Sequence, residues 1–181
     1  MYFKDIGFNL HDTMIYNRFG KFPDANRYRG DFEYMFVFSK GKPKTYNKIK
    51  DRKNIKSVGS SLNGTERKEN EKLKSKKTRR VTQEFGDRGN VWTYSNGLGC
   101  TTPDKIAYKH PAIFPEKLVE DHIVSWSNEG DIVYDCFGGS GTTAKMAHKW
   151  KRQWILSEIS KEYVEIAEKR IAPYLAQTSL F

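Results

Sequence analysis

Three glycines and one carboxylate set the chemistry this chain can do. Gly138, Gly139 and Gly141 follow the run Ile132-Val-Tyr134 and precede Thr142-Thr-Ala144. Glycine there permits a tight turn and lets backbone N–H groups approach a ligand with no Cβ in the way. Gly139-Ser-Gly-Thr-Thr-Ala144 satisfies the G-x-G-x-x-G/A fingerprint of a cofactor-binding turn between a strand and a helix. Glu158 follows a second strand, where a carboxylate accepts hydrogen bonds from ribose hydroxyls. The combination reads as a nucleoside cofactor site. The glycine spacing by itself equally fits a nicotinamide dinucleotide enzyme.

The elements that must position this turn lie in 110–181. Pro115 suits the first turn of a helix, and Leu118, Val119, His122, Ile123 and Trp126 then recur on one face. Ile132, Val133 and Tyr134 predict a strand in a covered parallel sheet. A helix is expected from Thr142 to Trp150 and a second strand over Gln153 to Ser157. Ser160 can cap a last helix whose face is Tyr163, Ile166, Ala167, Arg170/Ile171 and Tyr174. Helix–strand–helix–strand–helix is an α/β architecture with a parallel strand pair.

The rest of the chain is less regular. Residues 1–40 read as a β-hairpin, with arms at 12–17 and 32–38 rich in aromatic and β-branched residues and a turn-rich 20–26 between them. In 41–109 apolar periodicity fades: 57–64 reads as loop and 66–77 as a solvated helix. Trp92 and Tyr94, in 90–99, are either packing residues or a surface offered to a base or sugar.

The net charge of +10 is concentrated in the middle. Residues 40–109 hold 19 Lys and Arg against seven Asp and Glu, and the remainder holds 13 against 15. Such a field favours polyanions through phosphate contacts and counterion release; the plainer reading is a solvated basic loop. Lys76, Lys77, Arg79, Arg80 and Arg88 are the candidate DNA-phosphate contacts, which position a protein without reading sequence.

Composition bounds the remaining classes. With 181 residues, 37% hydrophobic and 14% aromatic, the chain can form one domain with a core, or one with an appendage. Cys100 and Cys136 make no disulfide framework, which points to a reducing cytosol. The first residues lack the core of a signal peptide, and no apolar run approaches the roughly 20 residues of a membrane span. A soluble, cytoplasmic protein without membrane association is expected. His11, His110, His122 and His148 show no metal spacing, so no zinc site is expected.

The ordered set of motifs resembles a known family. His110-Pro-Ala-Ile-Phe-Pro-Glu-Lys-Leu118, then Asp135-Cys-Phe-Gly-Gly-Ser-Gly-Thr-Thr143, then Glu158 is similar to the exocyclic-amine DNA methyltransferases, in the order of their β-class. The resemblance implies a partial Rossmann-like S-adenosylmethionine-dependent methyltransferase fold with an inserted basic target-recognition region. It divides the chain into the terminal hairpin of the catalytic half (1–40), the target-recognition region (41–109) and the S-adenosylmethionine-binding subdomain (110–181). It implies methyl transfer to adenine N6 or cytosine N4 in double-stranded DNA. By the same resemblance Asp135, Phe137, Gly138, Gly139, Ser140, Gly141 and Thr142 wrap the methionine end of the cofactor. Glu158 binds its ribose, and His110, Ala112, Phe114 and Pro115 form the preceding cofactor motif. Cys136 and Ser157 depart from the family pattern without removing a ligand group.

One part of that pattern is absent. The family's catalytic tetrapeptide is an Asp, Asn or Ser followed by Pro-Pro and an aromatic, and the 181 residues contain no Pro-Pro pair. No catalytic residue is therefore assigned. The resemblance also leaves out the central strands between the hairpin and the cofactor strands, so the sheet is expected to have a gap with exposed edges. The expectation is that a separate catalytic half or a second copy of the chain completes the site. The alternative is a non-catalytic DNA- and cofactor-binding remnant or subunit.

Overall fold

The structure, a computed structural model, describes residues 2–18, 25–26, 28–55, 58–67 and 72–177. Along the chain run α1 (Tyr2–Asp5), β1 (Asn9–Arg18), β2 (Phe32–Ser39), β3 (Lys50–Lys53), β4 (Ser61–Arg67), β5 (Leu73–Val81), β6 (Phe85–Asp87) and β7 (Val91–Tyr94). A 3-10 turn (Lys105–Lys109), α2 (Glu116–Trp126), β8 (Ile132–Asp135), α3 (Thr142–Lys149), β9 (Gln153–Leu156) and α4 (Lys161–Gln177) complete it. Two compact units result: Met1–Asn47 with Asn90–Phe181, and Lys48–Gly89.

In the first unit β1 lies between β2, antiparallel to it, and β7, parallel to it. The arms of the expected hairpin thus pair as read, with Met14 opposite Met35 and Ile15 opposite Tyr34; most of its turn-rich connection lies outside the described residues. The two-residue period of a strand splits this sheet into two unlike faces. Met14, Tyr16 and Trp92 are buried on one, while Phe32, Tyr34, Phe36 and Val91 stay at least half exposed on the other. Trp92 packs against His122 with ring centres 4.7 Å apart, and the Tyr94 hydroxyl donates to Asp121 at 2.7 Å. Both are packing residues rather than a surface for a base.

β8 and β9 form a separate parallel pair joined by α3. Ile123, Met146 and Ala147 form a buried cluster with Val119, Val133 and Trp154 against it. The expected helices and strands of 110–181 all form, with Pro115 at the N-cap of α2 rather than in its first turn. One expectation changes. Val133 packs inward, but Ile132, Tyr134 and Ile155 are 61%, 60% and 53% exposed, so the pair is covered on one face only. Helices reach that pair from a single side.

The second unit pairs β3 with β6 and β4 with β5, both antiparallel. Residues 66–67 and 73–77 are therefore strand, not helix, with 68–71 outside the described residues, and of the expected loop at 57–64 the part from Ser61 on belongs to β4. The segment has no apolar stripe at helical spacing, so a helix would bury nothing, whereas a hairpin satisfies its backbone in a ladder. This unit is narrower than the 41–109 segment. Asn47 donates to the carbonyls of Val124 and Ser127 at 3.0 and 3.1 Å, closing the C-terminal end of α2 and tying 41–47 to the first unit.

His122 gives the first unit a pH-dependent stability. Burial pushes its pKa from 6.5 down to about 4, against the opposing pull of Asp121. Because the folded value lies below the ordinary one, the contribution is complete above pH 6.5 and is lost as pH falls toward 4, by up to about 3 kcal/mol. Urea unfolding between pH 7 and pH 4.5 should show a clearly flatter dependence for His122→Leu than for the unsubstituted chain; equal slopes would contradict the assignment.

Candidate functional site

The glycine turn is clamped from two sides. In front, Glu158 accepts the Gly139 N–H at 2.8 Å and the Ser160 N–H at 2.9 Å, one on each carboxylate oxygen. The Ser160 and Gly139 hydrogen bonds hold the Glu158 carboxyl below the usual carboxylate range, so it is ionised at neutral pH. At the strand end, Asp135 accepts the Phe137 N–H at 3.0 Å and the Thr143 hydroxyl at 2.6 Å, fixing the chain where it leaves β8 and enters α3. Gly139 and Gly141 have positive φ, 49° and 77°.

The glycines are needed for more than ligand approach. A Cβ on Gly141 would lie 3.0 Å from the Ala167 Cβ of α4, and one on Gly138 would lie 3.1 Å from the Leu156 Cβ of β9. These two positions let the helix and strand pack closely. A Cβ on Gly139 would meet the His110 ring at 3.2 Å. His110 in turn rests edge-on against Tyr163, with centres 4.3 Å apart, and its Nδ1 accepts the Ala112 N–H at 3.2 Å.

Together these groups line a cleft of about 180 Å³. Of the residues expected there, His110, Ala112, Phe114, Asp135, Phe137, Gly138, Gly139, Ser140, Thr142 and Glu158 line it. Pro115 is buried at the head of α2 and Gly141 lies under α4, so neither lines the cleft. Ile113 and Thr143 line it without having been singled out; Thr143 lay within the motif, and its partner Asp135 was visible eight residues earlier.

Behind the turn sits a charged network that sequence patterning did not reveal. Arg170 of α4 donates to the Ser140 carbonyl at 3.0 Å, the Thr142 hydroxyl at 2.9 Å, Asp104 at 2.8 Å and Glu116 at 2.6 Å. Lys145 of α3 joins the same two carboxylates at 2.8 and 2.7 Å. Burial pushes the Asp104 carboxyl up, but the Lys145 and Arg170 hydrogen bonds outweigh it and hold the group below its ordinary value. Arg170 was legible only as one position on the buried face of α4. Nothing in its spacing announced that it carries the turn.

The candidate DNA contacts are placed differently. Lys76, Lys77, Arg79 and Arg80 fall on β5, and their side chains are outside the described residues. Arg88 is paired with Asp51 through Nε at 2.9 Å and through Nη2, so its guanidinium braces its own unit. Among the described residues no group of three or more His, Cys, Asp or Glu is placed to hold a metal ion. Nor is any described helix long and apolar enough to cross a membrane. Cys100 and Cys136 are exposed free thiols.

A parallel strand pair, a crossover helix opened by a glycine turn, and a carboxylate after the second strand define a nucleotide-cofactor domain of the Rossmann-like class. Comparison with known proteins narrows this. A family model described as DNA methylase, of the N6/N4 type, matches residues 1–169, and the chain belongs to that family. It is 57% identical over 178 residues to the orphan methyltransferase M.BamHII of Bacillus amyloliquefaciens, covering 97% of this chain and 67% of that protein. It is 43% identical over 82 residues to the type II methyltransferase M.HpaI of Haemophilus parainfluenzae, covering 45% of this chain and 25% of that one. The fold matches the M1.HpyAVI–SAM complex with a TM-score of 0.59 at 24% identity, over 94% of this chain and 66% of that one. It matches the cytosine-N4-specific PvuII DNA methyltransferase with a TM-score of 0.60 at 21% identity, over 97% and 59%. The chain therefore spans about two thirds of the length of these proteins or less.

Arg170→Met should leave Asp104 and Glu116 short of a cation in a largely buried site and cost about 3 kcal/mol in urea unfolding, the range for breaking a buried ion pair. A loss below about 1 kcal/mol would show that the turn does not depend on this network.

Proposed function

We propose that this chain provides the cofactor-binding and DNA-contacting parts of a DNA amino-methyltransferase, which moves a methyl group from S-adenosylmethionine to N6 of adenine or N4 of cytosine. The observation that carries the reading is the cleft in which ionised Glu158 faces the glycine turn, in a chain of the DNA methylase family. The S-adenosylmethionine in the M1.HpyAVI structure supports the same cofactor here.

The residues fit that group. With about four acceptor sites on the carboxylate and backbone hydrogen bonds from Gly139, Ser160 and Ile159, Glu158 keeps a lone pair that can accept a ribose hydroxyl. The first turn of α3 begins at the cleft floor, where helix N–H groups and the positive end of the helix dipole suit the amino-acid carboxylate. Phe114 and Phe137, 53% and 82% exposed, offer apolar surface at its rim. S-adenosylmethionine, when bound, supplies an electrophilic methyl group on sulfur.

The basic unit Lys48–Gly89, with 14 Lys and Arg against six Asp and Glu, is the DNA-contacting part in this reading. Its phosphate contacts are assigned to Lys76, Lys77, Arg79 and Arg80, with Arg88 bracing the unit. The target base must leave the stack to reach the cofactor. The group that then holds its amine is assigned to no residue among these 181, which contain no Pro-Pro-aromatic motif.

S-adenosylhomocysteine should bind the chain and resist competition by nicotinamide dinucleotides, and Glu158→Gln should weaken it tenfold or more, as expected for losing hydrogen bonds to a charged acceptor. Displacement by a nicotinamide dinucleotide would overturn the cofactor assignment. Replacing Lys76, Lys77, Arg79 and Arg80 together with Gln should lower the salt dependence of DNA binding by a slope of about 3 to 4. An unchanged slope would remove β5 from the DNA-contacting surface.

A further inference from the structure

Beyond β7 the chain forms a loop that is exposed at its tip and firmly held beneath. Gly97 and Gly99 have positive φ, 109° and 80°, and a Cβ on either would meet nothing within 4 Å. Glycine is therefore called for by the backbone conformation and not by lack of space. Between them Leu98 is 85% exposed. A single exposed leucine is ordinary on a protein surface, but the bracing under this one is specific. The Gly97 carbonyl accepts the Cys100 and Thr101 N–H groups, both at 3.1 Å, and the Gly97 N–H donates to the Thr101 hydroxyl at 2.9 Å. The Tyr108 hydroxyl accepts the Gly99 N–H at 2.9 Å and donates to the Thr102 carbonyl at 3.0 Å. Thr101 and Thr102 are themselves buried, so the loop stands on a fixed base.

The position of the loop matters as much as its stiffness. Tyr94, at the end of β7, is bonded to Asp121 of α2, and the Thr101 carbonyl accepts the N–H of Glu116, the first residue of that helix, at 3.0 Å. Phe114, just ahead of the same helix, lines the cofactor cleft. The leucine loop and the cleft thus flank one end of α2. Lys105 and Lys109, on the 3-10 turn that carries Tyr108, are exposed and place positive charge beside the loop, where it favours phosphates.

A base that leaves the stack opens a gap in the duplex at its own level. An apolar side chain inserted there replaces lost stacking contacts and obstructs the return of the base, and leucine is among the side chains that proteins drive between base steps. Such a wedge has to be stiff, because a yielding loop would be pushed aside by the stack. It also has to stand clear of its neighbours, and glycine on both sides provides that.

We infer that Leu98 enters the DNA duplex as a wedge and fills the place vacated by the extruded target base. The inference rests on the methyltransferase reading above, which is what requires a base to leave the stack. Leu98 touches no reacting atom and is a positioning residue.

The test measures binding of the 181-residue chain to a short duplex with one abasic site and to the same duplex intact, with S-adenosylhomocysteine binding followed in the same samples. The abasic duplex offers the gap without the cost of unstacking a base, so it should bind about tenfold more tightly. Leu98→Ser should reduce that preference to about twofold or less while leaving affinity for the intact duplex and for S-adenosylhomocysteine unchanged. Leu98→Met, which stays apolar and flexible in shape, should keep most of the preference. With 2-aminopurine opposite the abasic site, fluorescence should change on binding of the unsubstituted chain and not on binding of Leu98→Ser. A preference that survives Leu98→Ser, or no preference and no DNA binding in a chain that holds S-adenosylhomocysteine, overturns the wedge and leaves the cofactor reading standing. Equal loss in Leu98→Ser and Leu98→Met would assign the effect to loop shape and also overturn it. Absence of S-adenosylhomocysteine binding in every sample would sink the methyltransferase reading itself.

Discussion

The Arg170 guanidinium is the point on which the cofactor end of this molecule depends. It is 1% exposed and joins α4 to the Ser140 carbonyl, to the first turn of α3, and to two carboxylates from 104–116. Burying a guanidinium is costly unless its charge is paired and its donors are satisfied. Here Asp104 and Glu116 supply the charge, and Lys145 balances the second carboxylate. The geometry follows from that requirement: once Arg170 has its partners, α4 must lie against Gly141, with no room for a Cβ between them. The turn is thereby held from behind, while Glu158 holds it from in front through a backbone N–H.

The other half of the first unit is governed by an unmet requirement. A parallel strand is normally buried on both faces and paired on both edges. Among the described residues β8 has one covered face and one paired edge. The sheet of β2, β1 and β7 shares the imbalance, with Met14, Tyr16 and Trp92 buried and Phe32, Tyr34 and Phe36 exposed. Exposed aromatic faces and open strand edges are association sites in most soluble proteins. Among the described residues, a cofactor cleft stands beside a strand pair with one exposed face.

Sequence reading recovered the elements whose signal is local. The glycine turn, the strand before it, Glu158 after β9 and the faces of α2 and α4 follow from periodicity and turn chemistry within a few residues, and they form as read. What stayed hidden depends on contacts distant in sequence. Asp104 meets Arg170 across 66 residues, and Asn47 reaches α2 across about 80, so neither spacing carries information. In 57–81 the error had another source. A stretch almost without apolar residues gives no periodicity to read, and its described residues pair as β4 and β5. Ile132 and Tyr134 show a third limit: an apolar strand reads the same whether its second face is covered by its own chain or by another.

The central claim is that this chain holds the methyl donor yet lacks the group that presents the target amine. Transfer of labelled methyl groups from S-adenosylmethionine to unmethylated DNA by the 181-residue chain alone tests it most directly. The account predicts no transfer above background from a chain that binds the cofactor. Steady transfer by this chain alone would mean that its own residues, or a second copy, complete the active site, and would contradict the account.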